Sequence, residues 1–124
     1  GARTTTPAGY QMGTLWTTSD QAEFASGLRC VAGHEPVLDM MGRIVDYQHW
    51  GLGRIGGARF KGGWNHHEGG HLARQFGLIP GPNGDIAVAI TAHSPKGHEG
   101  SFAMLNELAD GLSAMRGDLP TSRC

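Results

Sequence analysis

Phe76-Gly77-Leu78-Ile79-Pro80-Gly81-Pro82-Asn83-Gly84-Asp85-Ile86-Ala87-Val88-Ala89-Ile90 decides the fold class. Two apolar runs, Leu72 to Ile79 and Asp85 to Ala92, flank Pro80-Gly81-Pro82-Asn83-Gly84. Asn-Gly is among the strongest short hairpin signals, because both residues tolerate positive φ. The two runs are therefore expected to be antiparallel neighbours in a sheet. Downstream, Phe102, Leu105, Leu108, Ala109, Leu112 and Met115 recur at helical spacing, with Glu107, Asp110 and Arg116 off that face. This pattern predicts an amphipathic helix from Ser101 to Met115 that packs on the sheet. Leu119 to Cys124 reads as a tail.

Upstream of the hairpin, Gly51-Leu52-Gly53-Arg54-Ile55 and Gly57-Ala58-Arg59-Phe60-Lys61-Gly62-Gly63-Trp64 suit short strands meeting at glycine turns. Asn65-His66-His67-Glu68-Gly69-Gly70 reads as a polar connection. Thr18-Ser19-Asp20-Gln21 marks a helix start, with Asp20 and Glu23 in the first turn, and predicts a helix near Asp20 to Cys30. Pro36 at a first helical position, followed by Val37, Met40, Met41 and Ile44, predicts a second helix to about Val45. Residues 1–17 carry Thr4-Thr5-Thr6-Pro7, Gly9 and Gly13 without periodicity and read as an extended lead-in. The expected class is α/β of the α+β kind, an antiparallel sheet flanked by helices, in one domain spanning 1–124.

Composition narrows the function classes. Ten Lys and Arg stand against eleven Asp and Glu, for a net charge of -1, so the basic footprint of a nucleic-acid binder is absent. Only Lys61 and Lys96 are lysines. No apolar run approaches the roughly 20 residues of a membrane helix, and the opening Gly1-Ala2-Arg3-Thr4 has neither Met nor an apolar leader. The expectation is a terminus made by processing, cloning or cleavage. Cys30 and Cys124 bridge in an oxidising compartment or remain thiols; two cysteines make no disulfide framework.

His67-Glu68-Gly69-Gly70-His71 satisfies H-E-x-x-H, in which two zinc-ligating histidines lie one helical turn apart and the glutamate activates water. Its context opposes a helix, since glycine costs about 1 kcal/mol in a helix interior and the string lies between strand candidates. His93 or His98 is available as a third ligand. No Gly-x-Ser-x-Gly elbow exists, and Ser94, Ser101 and Ser113 lack a local partner.

Phe60-Lys61-Gly62-Gly63-Trp64, followed by two further strands and a long closing helix, resembles the C-terminal half of a class A β-lactamase-like, penicillin-recognising serine hydrolase. In that family a K-[ST]-G motif lies on the strand lining the active site. Thr4-Thr5-Thr6-Pro7 resembles the segment that follows the family's omega loop, Phe76 to Ile90 its last two strands, and Gly100 to Met115 its closing helix. The resemblance spans nearly the whole chain. It implies that Lys61 orients a substrate carboxylate, that the Trp64 amide contributes to an oxyanion hole, and that Gly62, Gly63 and Asn65 line the substrate position.

Three departures shape that implication. Gly62 stands in place of the hydroxyl residue of K-[ST]-G, so amide, ester or peptide substrates and acyl transfer stand beside penicillin hydrolysis. No S-x-x-K is present, because Ala58 and His93 stand three residues before the two lysines. The Ser-Asp-Asn motif is missing too. The resemblance therefore implies the C-terminal portion of a hydrolase, inactive alone, that supplies Lys61 and the Trp64 amide. Its nucleophile comes from an N-terminal part carrying S-x-x-K, or else the chain assembles as a homo-oligomer. The implied substrate is a small or peptide-like acyl compound, with no cofactor, no metal, no nucleic acid and no membrane span, in a secreted or periplasmic setting. The alternatives are a zinc hydrolase using His67, Glu68 and His71, and a non-catalytic ligand-binding module on the same fold.

Overall fold

A computed structural model of the chain describes residues 16–67 and 69–123. The architecture is α+β: one three-stranded antiparallel sheet with helices on both faces. In chain order come α1 (Thr18–Gly27), α2 (His34–Met41), β1 (Arg59–His67), β2 (Gly70–Gly81), β3 (Gly84–Ser94) and α3 (His98–Ala114). Short 3-10 turns join several of them. The sheet order is β1-β2-β3.

The hairpin expected from Phe76 to Ile90 forms, with Gly81 opposite Gly84 as its closing pair. Its two loop residues are Pro82 and Asn83, one position earlier than an Asn83-Gly84 turn, and Gly84 takes φ 134° at the head of β3. A second hairpin forms where the sequence suggested a polar connection. β1 runs on to His67 and β2 starts at Gly70, so His66 lies opposite His71. Gly69, at φ 78°, supplies the left-handed backbone of that turn. Gly51–Arg54 is a 3-10 turn rather than a strand. Gly51 there has φ 61°, which disfavours any residue with a Cβ. The second helix stops at Met41, short of Val45, and Pro36 sits in its first turn.

Because paired residues on antiparallel strands share a face, the register divides the sheet cleanly. One face carries Phe60, Gly62 and Trp64 of β1, Ala73, Gln75 and Ile79 of β2, and Ile86, Val88, Ile90 and Ala92 of β3. α3 covers it with Leu105 and Ala109, both fully buried. The expected stripe is only partly inside: Leu108 and Met115 remain exposed. The opposite face carries Lys61, Phe76, Leu78 and Ala87, covered by Ala25 and Leu28 at α1 and Leu38 and Met41 of α2.

Two polar devices fix these layers. Gln75 is completely buried; its Nε2 donates to the Trp50 carbonyl at 2.7 Å and its Oε1 accepts from the Leu52 N–H at 2.8 Å. It thereby pairs the Leu52 N–H, which would otherwise lie unsatisfied in the core, and shares the Trp50 carbonyl with the Gly53 N–H. Arg29, at the end of the first helical segment, reaches Asp85 Oδ2 at 2.7 Å. Thr17 caps α1, its hydroxyl accepting from the Asp20 N–H at 3.0 Å. Thr4 to Pro7, the remainder of the lead-in up to residue 15, Glu68 and Cys124 lie outside the described residues. Cys30 is disulfide-bonded, and its sulfur lies 3.8 Å from the Arg123 carbonyl oxygen, where the C-terminal tail returns.

Candidate functional site along the first strand

Lys61, Gly62, Gly63, Trp64 and Asn65 are consecutive on β1, an edge strand. An edge strand leaves alternate backbone N–H and C=O groups unpaired and available to a ligand or another chain. Alternation sends Lys61, Gly63 and Asn65 to the face shared with α1 and α2, and Gly62 and Trp64 to the face under α3. The side chains of the expected site therefore divide between two faces. What the five residues share is one strand, which has no partner on its outer side among the described residues.

The Lys61 Nζ donates to Gln48 Oε1 at 3.1 Å and to the Gly62 carbonyl at 2.7 Å, and the side chain is exposed. Both acceptors are neutral. Among the described residues no carboxylate pairs with this ammonium, so its charge is uncompensated and open to an anionic group. Gln48 comes from the 3-10 turn Asp46–Gln48, an element the sequence reading did not single out.

Gly62 has a direct packing reason. A Cβ there would stand 2.7 Å from Trp50 Cη2 and 3.1 Å from Gln75 Cγ. The position that resembles the hydroxyl residue of K-[ST]-G is thus closed by the Trp50 ring. Trp50 stacks on Phe102 of α3 at 4.2 Å and 10°, and Trp64 meets both edge-on at 5.9 and 6.0 Å. Trp64 stays 41% exposed, so its ring forms an apolar wall beside the strand edge. Gly63 has open space at its Cβ position.

Beside the start of β1 an open cleft of about 420 Å³ is lined by Asp39, Arg43, His49, Gly56, Gly57 and Arg59 among others. None of Lys61 to Asn65 lines it. His49 within it is already held by the Ile44 carbonyl at 2.5 Å, and Arg43 by Asp39 at 2.5 Å.

The H-E-x-x-H string does not form the helical ligand pair. His67 ends β1 and His71 is in β2, so the one-turn spacing that motif needs is never made. The residue across from His71 is His66, with ring centroids 4.4 Å apart. His98, the first residue of α3, brings its ring to 4.6 Å from His71 and 5.6 Å from His66. His93, on the other face of β3, lies against Gly70, whose absent Cβ would fall 2.3 Å from its Nε2. Desolvation first, then the nearby His66, His98 and His93, hold His71 below the usual histidine value of 6.5. The adjacent glycines Gly69-Gly70 after His67 are the sequence signal of a hairpin that pairs His66 with His71.

Comparison with known proteins finds no matching family model, curated protein or solved structure.

Proposed function

We propose that the chain is the C-terminal part of a β-lactamase-like serine hydrolase or acyltransferase, contributing Lys61 and the edge of β1 to an acyl-enzyme site. The observation that carries this reading is Lys61: an ammonium on a free edge strand, held only by neutral oxygens. Such a charge attracts a substrate carboxylate and favours the deprotonated form of a serine or base placed beside it. A backbone amide on the same edge, that of Trp64, suits the oxyanion of a tetrahedral intermediate. Nucleophile and base then come from an S-x-x-K segment outside these 124 residues.

Two further features support an additional polypeptide segment against this chain. Among the described residues no strand pairs with the outer edge of β3, which is 11 residues long. Long unpaired edges are templates for another strand. α1 and α2 also leave Phe24, Val37 and Met40 partly exposed, apolar area that an adjoining layer would bury.

The test uses native material that contains this chain. Intact mass analysis is combined with labelling by a fluorophosphonate and by a β-lactam. The expected result is a label on the serine of S-x-x-K, in the same polypeptide or one that co-purifies, and Lys61→Ala slowing acylation about 10²- to 10³-fold. Undiminished activity from the 124 residues alone overturns the reading. Failure of both probes on the complete material overturns it too, in favour of the non-catalytic binding module.

A further inference from the structure

The tip of the β1–β2 hairpin and the start of α3 place His66, His71 and His98 around one small volume. A nitrogen from each ring lies within 4.8 Å of the other two. We infer that these three side chains form a binding site for a divalent first-row metal ion, with zinc as the physiological candidate. This inference uses none of the residues of the acyl-enzyme reading and stands apart from it; His66 is about 17 Å along β1 from Lys61 at strand rise.

The sequence builds the cluster in three steps. Gly69, at φ 78°, lets β2 return antiparallel to β1, which sets His66 opposite His71 on the face under α3. Gly97, at φ 85°, then lets the chain leave β3 and start α3 at His98. Finally the Ser101 hydroxyl, fully buried, donates a short hydrogen bond to the His71 carbonyl. That bond clamps the first turn of α3 to the strand that carries the second histidine. Phe102 lies near-parallel to the His98 ring at 6.0 Å and restricts its rotation.

Ligand chemistry follows from what these rings lack. Nδ1 of His71 and Nδ1 of His98 are both buried without a hydrogen-bond partner. Unsatisfied buried polar atoms are uncommon and costly, and here two occur on rings 4.6 Å apart. Three imidazoles crowded together repel once protonated, whereas their neutral forms each direct a lone pair. A metal ion bound to nitrogen at about 2.0–2.1 Å needs donor separations near 3.4 Å, a contraction that rotation about the side-chain torsions supplies. Imidazole is a borderline ligand that suits zinc, copper and nickel rather than magnesium or calcium. With three protein ligands, a fourth position stays open to water or an anion. The histidine with no unpartnered buried nitrogen, His66, is also the exposed one, so the ion enters from the hairpin side.

The test is titration of the untagged, metal-stripped protein with zinc by calorimetry, and with cobalt followed by its visible absorption. The expected result is one ion per chain, a tetrahedral cobalt spectrum, and a rise in melting temperature on the order of 10 °C at saturating zinc. His71→Ala and His98→Ala are expected to weaken binding at least 10-fold. His34→Ala and His49→Ala, which lie outside the cluster, leave it unchanged. An octahedral cobalt spectrum for the unmodified protein, a stoichiometry other than one, or equal losses in the His34 and His49 variants overturns the site. The cobalt spectrum needs no substitution, so the outcome does not depend on variants folding.

Discussion

The two faces of the sheet are built differently. On the face under α3, a 17-residue helix lies over Phe60 and the Ile, Val and Ala positions of β2 and β3, and Leu105, Ala109 and Gln75 are sealed completely. Among the described residues, the buried apolar cluster under α1 and α2 is Ala25, Leu28, Leu38, Met41 and Leu78. An edge-to-face group of Trp16, Phe24 and Phe76 at 5.3–5.8 Å flanks it, and Phe24 is 47% exposed. The first face is a finished core with a polar histidine cluster at one end. The second is thinner and carries the uncompensated Lys61. Stability therefore concentrates on one side of the sheet, and the ligand-ready charge sits on the other.

Truncation should separate the faces most sharply. Leu105→Ala empties a sealed position in the larger core and is expected to cost about 3–5 kcal/mol in urea unfolding, against about 2 kcal/mol for Leu38→Ala, which sits in the smaller cluster beside the partly buried Phe76 and Ala87. Equal losses would show the two cores to be equivalent. Next, Gln75→Leu keeps the volume but removes a partner from each of two backbone groups, leaving the Leu52 N–H buried and unpaired and the Trp50 carbonyl with only the Gly53 N–H at 3.3 Å. About 2 kcal/mol is expected from the same measurement.

A third substitution joins stability to function. Gly62→Thr restores the hydroxyl of a K-[ST]-G motif but drives a Cβ into the Trp50 ring. It should lower stability by about 1–3 kcal/mol, and the near-ultraviolet circular dichroism of the Trp50–Phe102 stack should change with it. An unchanged aromatic spectrum would mean that the ring moves freely. The smaller effect of Arg29→Ala, about 1 kcal/mol for an ion pair about one-third exposed, measures how firmly the first helical segment is tied to β3.

The smallest effect is a pH dependence on the α3 side. Hydrogen bonding from Arg54, at 3.0 Å, lowers the Asp110 pKa from 3.8. A carboxylate whose folded value lies below its unfolded one stabilises the fold above the unfolded value. That contribution fades as pH falls through the folded value. Melting temperatures of Asp110→Asn and the unmodified protein should therefore converge in acid and differ slightly above pH 4. Both groups are about half exposed, which keeps the difference slight.

Local patterning made the main elements legible. Alternating apolar runs around Pro-Gly-Pro-Asn-Gly defined β2 and β3, and apolar spacing from Phe102 onward defined α3. Capping residues marked α1 to within two residues at its start. Turn chemistry was read less well, because Gly51-Leu52-Gly53-Arg54 has no periodicity and takes its 3-10 form from the hydrogen bonds of Gln75, 21 or more residues away. His66 was passed over for His67 because H-E-x-x-H is a helical pattern. In a strand, one residue of register decides which histidine faces a partner.

The sequence by itself determined the hairpin, the closing helix and the absence of S-x-x-K, because each depends on neighbours within a few residues. Only the tertiary structure decided that Lys61 meets neutral oxygens, that Trp50 occupies the space beside Gly62, and that His66, His71 and His98 converge. Those contacts link residues 12 to 52 positions apart or rest on strand register, and no local pattern encodes which distant side chains the sheet and α3 will bring together.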